Sequence, residues 1–269
     1  LSMTLNNRIS ISDLAGYKSR GQKWAMLTSY EQMTAEIFDE AQIPVLLVGD
    51  SAGNNFFGEV DTIPVTVDEL IPLARAVVRS TTRAMVVADL PFGSYESGPD
   101  AALATGIRFF KEAKAHAVKL EGGTKVVPQI EKLISAGIPV MGHLGLTPQS
   151  VHALGGFKVQ GRGADAARII ADAKALEAAG VFALVLELVP AELATQITKE
   201  LSIPTIGIGA GAGCDAQVLV WTDLMGITKS APKLAKAYRN LRVEMTEAAK
   251  EFAADVSSGQ FPGPEQTFN

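Results

Sequence analysis

Apolar residues along this chain gather in eight short runs, each closing on glycine or a polar or aromatic residue. The runs lie at residues 24–29, 45–50, 85–89, 117–121, 139–143, 182–187, 205–209 and 218–221. Continuous rather than alternating runs of this length suit strands buried on both faces, as in a parallel sheet. Between them the period changes to that of a helix. Met33, Ile37 and Phe38 share one stripe of a helix predicted over 32–42, and Leu70, Ile71, Ala74 and Val77 one over 67–80. Further helices are predicted over 99–114, 124–136, 164–179 and 191–201, and a charged helical tail over 232–256. Pro44, Pro139 and Pro204 each open the strand that follows a helix exit, where no ladder donor is needed.

Eight strands alternating with helices in 269 residues predict a (β/α)8 TIM barrel, a single domain across 1–269. A doubly wound open sheet is the alternative. Eight strands are many for such a sheet, and no Gly-x-Gly-x-x-Gly follows the first run.

Composition narrows the setting. The chain has 24 basic and 29 acidic side chains, a net charge of −5, which disfavours nucleic acid and anionic membranes as partners. No run approaches the roughly 20 apolar residues of a membrane span. No basic segment followed by an apolar run marks a signal peptide. Cys214 is the single cysteine, so no intrachain disulfide forms, and a cytoplasmic location is expected. Leu1 and Ser2, ahead of Met3, read as an added remnant.

The carboxylates carry the chemistry. Asp50, Asp89, Glu121 and Glu187 each close an apolar run. In a parallel barrel these ends share the face on which active sites are built. Any one of them could equally be a helix cap. Four on one face call for a cation, and oxygen donors without His or Cys favour Mg²⁺ over Zn²⁺. His143 closes the fifth run on the same rim and could orient a substrate oxygen or move a proton. Lys119 precedes Glu121 by two and therefore shares its inward side, where it suits an anionic substrate or the carboxylates themselves. His116 and His152 read as structural, and Cys214 as a packing residue. The glycine-rich run 207–213 fits either a phosphate cradle or a tight turn, with the turn favoured. Residues 142–163, with many glycines and no period, read as a substrate-covering loop, with Lys158 and Arg162 as possible anion contacts or solvated charge.

The stretch GHLGLTPQSVHALGGFKVQGRG at 142–163 resembles the ketopantoate hydroxymethyltransferase family, a barrel family of the phosphoenolpyruvate/pyruvate type. VGDSAG at 48–53, TIPVTVDEL at 62–70, ADLPFGSY at 88–95, VKLEGG at 118–123, LVLELVP at 184–190 and PTIGIGAG at 204–211 match in the same order. The resemblance implies an enzyme of pantothenate biosynthesis. It would transfer a hydroxymethyl group from 5,10-methylenetetrahydrofolate to 3-methyl-2-oxobutanoate, giving 2-dehydropantoate through a Mg-stabilised enolate. It further implies that Asp50 and Asp89 hold Mg²⁺, with Glu121 beside them directly or through water. Asp50, Ser51, Asp89 and Lys119 would contact the 2-oxo acid, Glu187 would be the catalytic base, and the enzyme would be a homo-oligomer, a decamer in the family. Glu31, Asn54 and the run Cys214-Asp215-Ala216 depart from the family's usual residues. A Mg²⁺-dependent 2-oxo acid lyase of the same barrel group is the rival reading, although the Lys-Lys-Cys-Gly-His run of isocitrate-lyase-like enzymes is missing. A non-catalytic oxo-acid-binding barrel is the other.

Overall fold

The computed structural model describes residues 8–268, so the reading of Leu1 and Ser2 falls outside the described residues. The apolar runs form β1 (Trp24–Thr28), β2 (Val45–Val48), β3 (Met85–Asp89), β4 (Ala117–Glu121), β5 (Val140–Gly145), β6 (Ala183–Glu187), β7 (Thr205–Ile208) and β8 (Ala216–Leu219). Each pairs in parallel with its neighbour in sequence, and β8 closes on β1. The expected eight-stranded parallel barrel is therefore present.

One connection departs from the βα repeat. Residues 209–215 carry the chain from β7 to β8 with no helix. Both strands have four residues, short enough for an extended connection of this length to return along. The turn lies against the helix Ala191–Glu200. A Cβ on Gly211 would sit 2.5 Å from Ala191 Cβ, and one on Gly213 2.0 Å from Thr195 Oγ1. The glycines are there for backbone proximity, which is the tight-turn reading.

The other predicted helices form close to their expected limits. Val67–Arg79 begins at a capping box in which Thr66 and Glu69 bond each other's backbone N–H. Pro99–Arg108 continues into a π-helical turn, Phe109–Ala113, which ends at Lys114 with φ 61°. A helix without a counterpart among the predicted elements, Ile11–Ser19, is capped by Ser10 and Asp13. The tail is helical only over Leu241–Ser258. Residues 232–240 are not helical: the Tyr238 and Leu241 N–H groups donate to the Leu224 and Met225 carbonyls at 2.8 and 3.0 Å instead of to a preceding turn. Here tertiary hydrogen bonds override local propensity.

The chain forms two compact units, one through Val220 and one from Trp221 onward. All eight strands lie in the first. Among the described residues no helix is long and apolar enough to cross a membrane.

The barrel interior explains where its chemistry can sit. Val45 and Leu47, Met85 and Val87, Ala117, Met141, Ala183 and Val185 belong to one buried apolar cluster. They follow the period of two along their strands, so the next residues of the same parity also face inward. Those residues are Asp89, Lys119, Glu121, His143 and Glu187. The interior thus changes from apolar to ionisable at the carboxyl ends of β3 to β6.

Candidate active site

Asp50 lies just beyond β2, buried, and its backbone N–H donates to Asp89 Oδ2 at 2.9 Å. Asp89 is paired in register with Lys119 on β4, and Lys119 Nζ stands 2.7 Å from Asp89 Oδ1. Both side chains are about 95% or more buried, at 3% and 5% exposure. Glu121 pairs in register with His143, whose Nδ1 is 3.5 Å from Glu121 Oε1 and whose Nε2 is 3.2 Å from Glu187 Oε2. His143 is therefore the link between Glu121 on one strand and Glu187 two strands away.

Burial and neighbouring charge shape these groups together. Burial, reinforced by Asp89 and Glu121, holds the Asp50 carboxyl well above the usual carboxylate range. Burial alone would push Lys119 and His143 down. Asp89, Glu121 and Asp50 outweigh it for Lys119, whose pKa is raised. For His143, burial and Lys119 lower the pKa, but the Glu121 and Glu187 carboxylates, 3.5 and 3.2 Å away, outweigh them and bring it to about 9. The imidazolium form is thus favoured at neutral pH.

The sequence reading grouped Asp50, Ser51, Asp89, Lys119, Glu121, His143 and Glu187, and the fold brings all of them to one mouth. Ser51 exchanges a hydrogen bond of 2.8 Å with the buried Tyr30 hydroxyl. Lys158 and Arg162 are exposed, as solvated charge would be. His116 accepts the Val86 N–H at Nδ1, 2.9 Å away, as a structural residue would. His152 is exposed and faces Asp61 at 3.5 Å. Cys214 is buried, and burial pushes its thiol up.

Two residues outside that grouping belong to the same mouth. Gln149, on the stretch after β5, donates from Nε2 to Asp50 Oδ2 at 2.8 Å and to the Leu90 carbonyl at 3.0 Å. Its backbone N–H donates to Glu121 Oε2 at 3.0 Å. Tyr95 donates to Gln149 Oε1 at 2.6 Å and accepts the Glu121 N–H at 3.2 Å. Neither carries a charge or a strand position, so periodicity gives no signal for them. Their only mark is that both fall inside the motif stretches 88–95 and 142–163.

The donor set suits a hard cation. Among the described residues no three His, Cys, Asp or Glu side chains form a complete metal cage. Mg²⁺ does not require one: it keeps waters and commonly takes one or two carboxylates, with substrate oxygens completing its shell. Asp50 and Asp89 are two adjacent carboxylates, and the buried Asp89 Oδ1 makes no hydrogen bond of good geometry. Glu121, held by Gln149 and His143, sits behind them.

A family model described as ketopantoate hydroxymethyltransferase matches residues 8–264. The chain belongs to the ketopantoate hydroxymethyltransferase family. Among its relatives named 3-methyl-2-oxobutanoate hydroxymethyltransferase, the protein of Nocardioides sp. is 60% identical, covering 97% of this chain and 89% of the relative. That of Frankia casuarinae is 58% identical over 98% of this chain and 90% of its own length, and that of Thermobifida fusca 56% over 98% and 94%. Among solved structures, phosphoenolpyruvate phosphomutase from Streptomyces platensis subsp. rosaceus superposes with a TM-score of 0.61 at 14% identity, covering 93% of this chain and 88% of that one. 2,3-Dimethylmalate lyase, of the PEP mutase/isocitrate lyase superfamily, gives 0.60 at 14% identity over 99% and 93%. At such identity these two establish the fold alone, a closed eight-stranded parallel barrel.

Of the positions singled out in the sequence as departures, Glu31 and Asp215 have local structural partners. Glu31 caps the helix Gln32–Glu40 by accepting from Thr34 N–H at 2.8 Å. Asp215 pairs with Lys18 at 2.9 Å. Asn54 lies in a π-helical turn, Gly53–Phe57.

Proposed function

We propose that this chain transfers a hydroxymethyl group from 5,10-methylenetetrahydrofolate to 3-methyl-2-oxobutanoate, forming 2-dehydropantoate. Family membership over nearly the whole chain supports the reaction. The observation that carries the residue roles is the ionisable layer closing the barrel interior, with Glu187 linked through His143 to Glu121 and, across the mouth, Asp50 bonded to Asp89.

Asp50 and Asp89 would hold Mg²⁺, which when bound draws electron density from the substrate's keto oxygen and so acidifies the proton on C3. Lys119 and Ser51 bind the oxo acid: the ammonium offers charge to the carboxylate, and the hydroxyl offers a hydrogen bond. Glu187 takes the C3 proton. Its side chain is 15% exposed, the most accessible of the mouth's carboxylates, and so can be reached by substrate. His143 Nε2 faces Glu187 Oε2 at 3.2 Å, within ion-pair distance of the base. The C3 carbanion attacks the methylene carbon of the folate, one water supplies the oxygen of the new hydroxyl, and tetrahydrofolate leaves. The enzyme works as a homo-oligomer on small-molecule substrates, in the cytoplasm.

Folate dependence tests the reaction class. The purified protein with Mg²⁺ and 3-methyl-2-oxobutanoate should form the hydroxymethylated acid only when 5,10-methylenetetrahydrofolate is supplied. Cleavage of a 2-oxo or hydroxy acid without folate would point to the lyase reading instead.

A further inference from the structure

The geometry points to Gln149 as the positioning residue that orients both Asp50 and Glu121 for cation and substrate binding, an inference that rests on the proposed function above. The side-chain amide bonds one oxygen of Asp50 and the backbone N–H of the same residue bonds one oxygen of Glu121, at 2.8 and 3.0 Å. Asp50 stands beyond β2 and Glu121 ends β4, so one residue from the stretch after β5 ties two separate strand ends. It leaves Asp50 Oδ1 and Glu121 Oε1 outside these two bonds.

Gln149 is itself firmly held. It is 6% exposed. Its amide is used at both ends, with Oε1 accepting from Tyr95 and Nε2 shared between Asp50 and the Leu90 carbonyl. This fixes the amide orientation: the acceptor must face the Tyr95 hydroxyl and the donor the carboxylate. An amide suits the position where an acid would not. Asp50, Asp89 and Glu121 already crowd one buried region, so a donor without charge orders the carboxylates and adds no repulsion.

Magnesium titration by calorimetry, run together with C3 deuterium exchange of 3-methyl-2-oxobutanoate without folate, tests the inference. Gln149→Met keeps length and volume and removes the three side-chain amide bonds, to Asp50, the Leu90 carbonyl and Tyr95, while the backbone N–H still reaches Glu121. It should weaken Mg²⁺ binding about tenfold and lower the exchange kcat about tenfold at saturating metal, as loss of a charge-assisted hydrogen bond implies. Gln149→Asn, which keeps the amide but falls one methylene short, should show the same weakening and covers the case in which Met fails to fold. Gln129→Met serves as the structural control. Gln129 is buried nearby and bonds the Tyr95 carbonyl at 3.3 Å, so it should lower Tm while leaving the Mg²⁺ Kd within twofold of wild type. If wild type binds Mg²⁺ and exchanges C3 while both Gln149 variants match it in Kd and kcat, the positioning role is overturned alone. If wild type neither binds Mg²⁺ nor exchanges C3, the proposed function falls, and this inference with it.

Discussion

Gly145 at the end of β5 lies so close to Glu187 at the end of β6 that a Cβ on Gly145 would sit 2.1 Å from the Glu187 carbonyl oxygen. The two residues are in register, and Gly145 has φ 95°. Leu146 N–H then donates to that same carbonyl at 2.8 Å. Glycine is required here both for the left-handed backbone and for the space, and the resulting turn sends the chain toward Gln149. Gly145→Ala should therefore lower stability by about 1–3 kcal/mol and reduce C3 exchange through displacement of Glu187. Thermal unfolding and the exchange rate check it; a variant with wild-type values for both would show that the close approach is not needed.

Asp50→Ala and Asp89→Ala should each abolish turnover and weaken Mg²⁺ binding by at least tenfold while the barrel stays folded. The cost to folding is small for Asp50→Ala, which relieves repulsion among buried acids, and about 3–5 kcal/mol for Asp89→Ala, which leaves the buried Lys119 ammonium without its partner 2.7 Å away. Calorimetric titration of metal into the two variants, beside circular dichroism, gives the result. Unchanged Mg²⁺ affinity in both would reject these residues as the cation's ligands.

Lys119 is paired with Asp89 at 2.7 Å in a buried setting, and its pKa is raised. An ammonium held in that way binds an anion and is a poor imine-forming amine. Borohydride treatment in the presence of 3-methyl-2-oxobutanoate should leave the Lys119 peptide at its original mass. A stable mass increase on that peptide would mean imine chemistry. Lys119→Met should also cost about 3–5 kcal/mol, because Asp89 would lose its buried partner.

His116 supplies a pH dependence remote from the mouth. Burial, with a smaller contribution from Arg8, holds its pKa down at about 4 against an ordinary 6.5. The folded chain therefore prefers the neutral ring. Its contribution is complete above pH 6.5 and is lost as the pH falls toward 4. Tm measured across that window should fall less steeply in His116→Gln, whose side-chain oxygen can still accept the Val86 N–H. Parallel Tm curves for the two proteins would refute the assignment.

The barrel and most of its mouth were legible because strand periodicity carries direction as well as identity. Lys119 and Glu121 share a parity with Ala117, so their inward placement follows from spacing alone. Asp89, His143 and Glu187 close their runs in the same way. Gln149 was not legible: it reaches Asp50 from a segment with no period, and its direction is set by the turn at Gly145. Tyr95 likewise acts from the connection after β3. The helix-free return from β7 to β8 was hidden because a glycine-rich turn gives no sign of how far it travels. Over 232–240, helical spacing lost to hydrogen bonds made with residues 224 and 225, which no local pattern encodes.

The central claim is that Glu187 is the base that removes the C3 proton, and one substitution addresses it directly. Glu187→Gln keeps the size of the side chain and its contact with His143 Nε2, 3.2 Å away in the native chain, while removing the basicity. C3 deuterium exchange of 3-methyl-2-oxobutanoate, followed by NMR with Mg²⁺ and without folate, isolates the proton step from one-carbon transfer. The account predicts that Glu187→Gln still binds Mg²⁺ and the oxo acid but exchanges C3 more slowly by about 10²-fold or more. Exchange at the wild-type rate would contradict it.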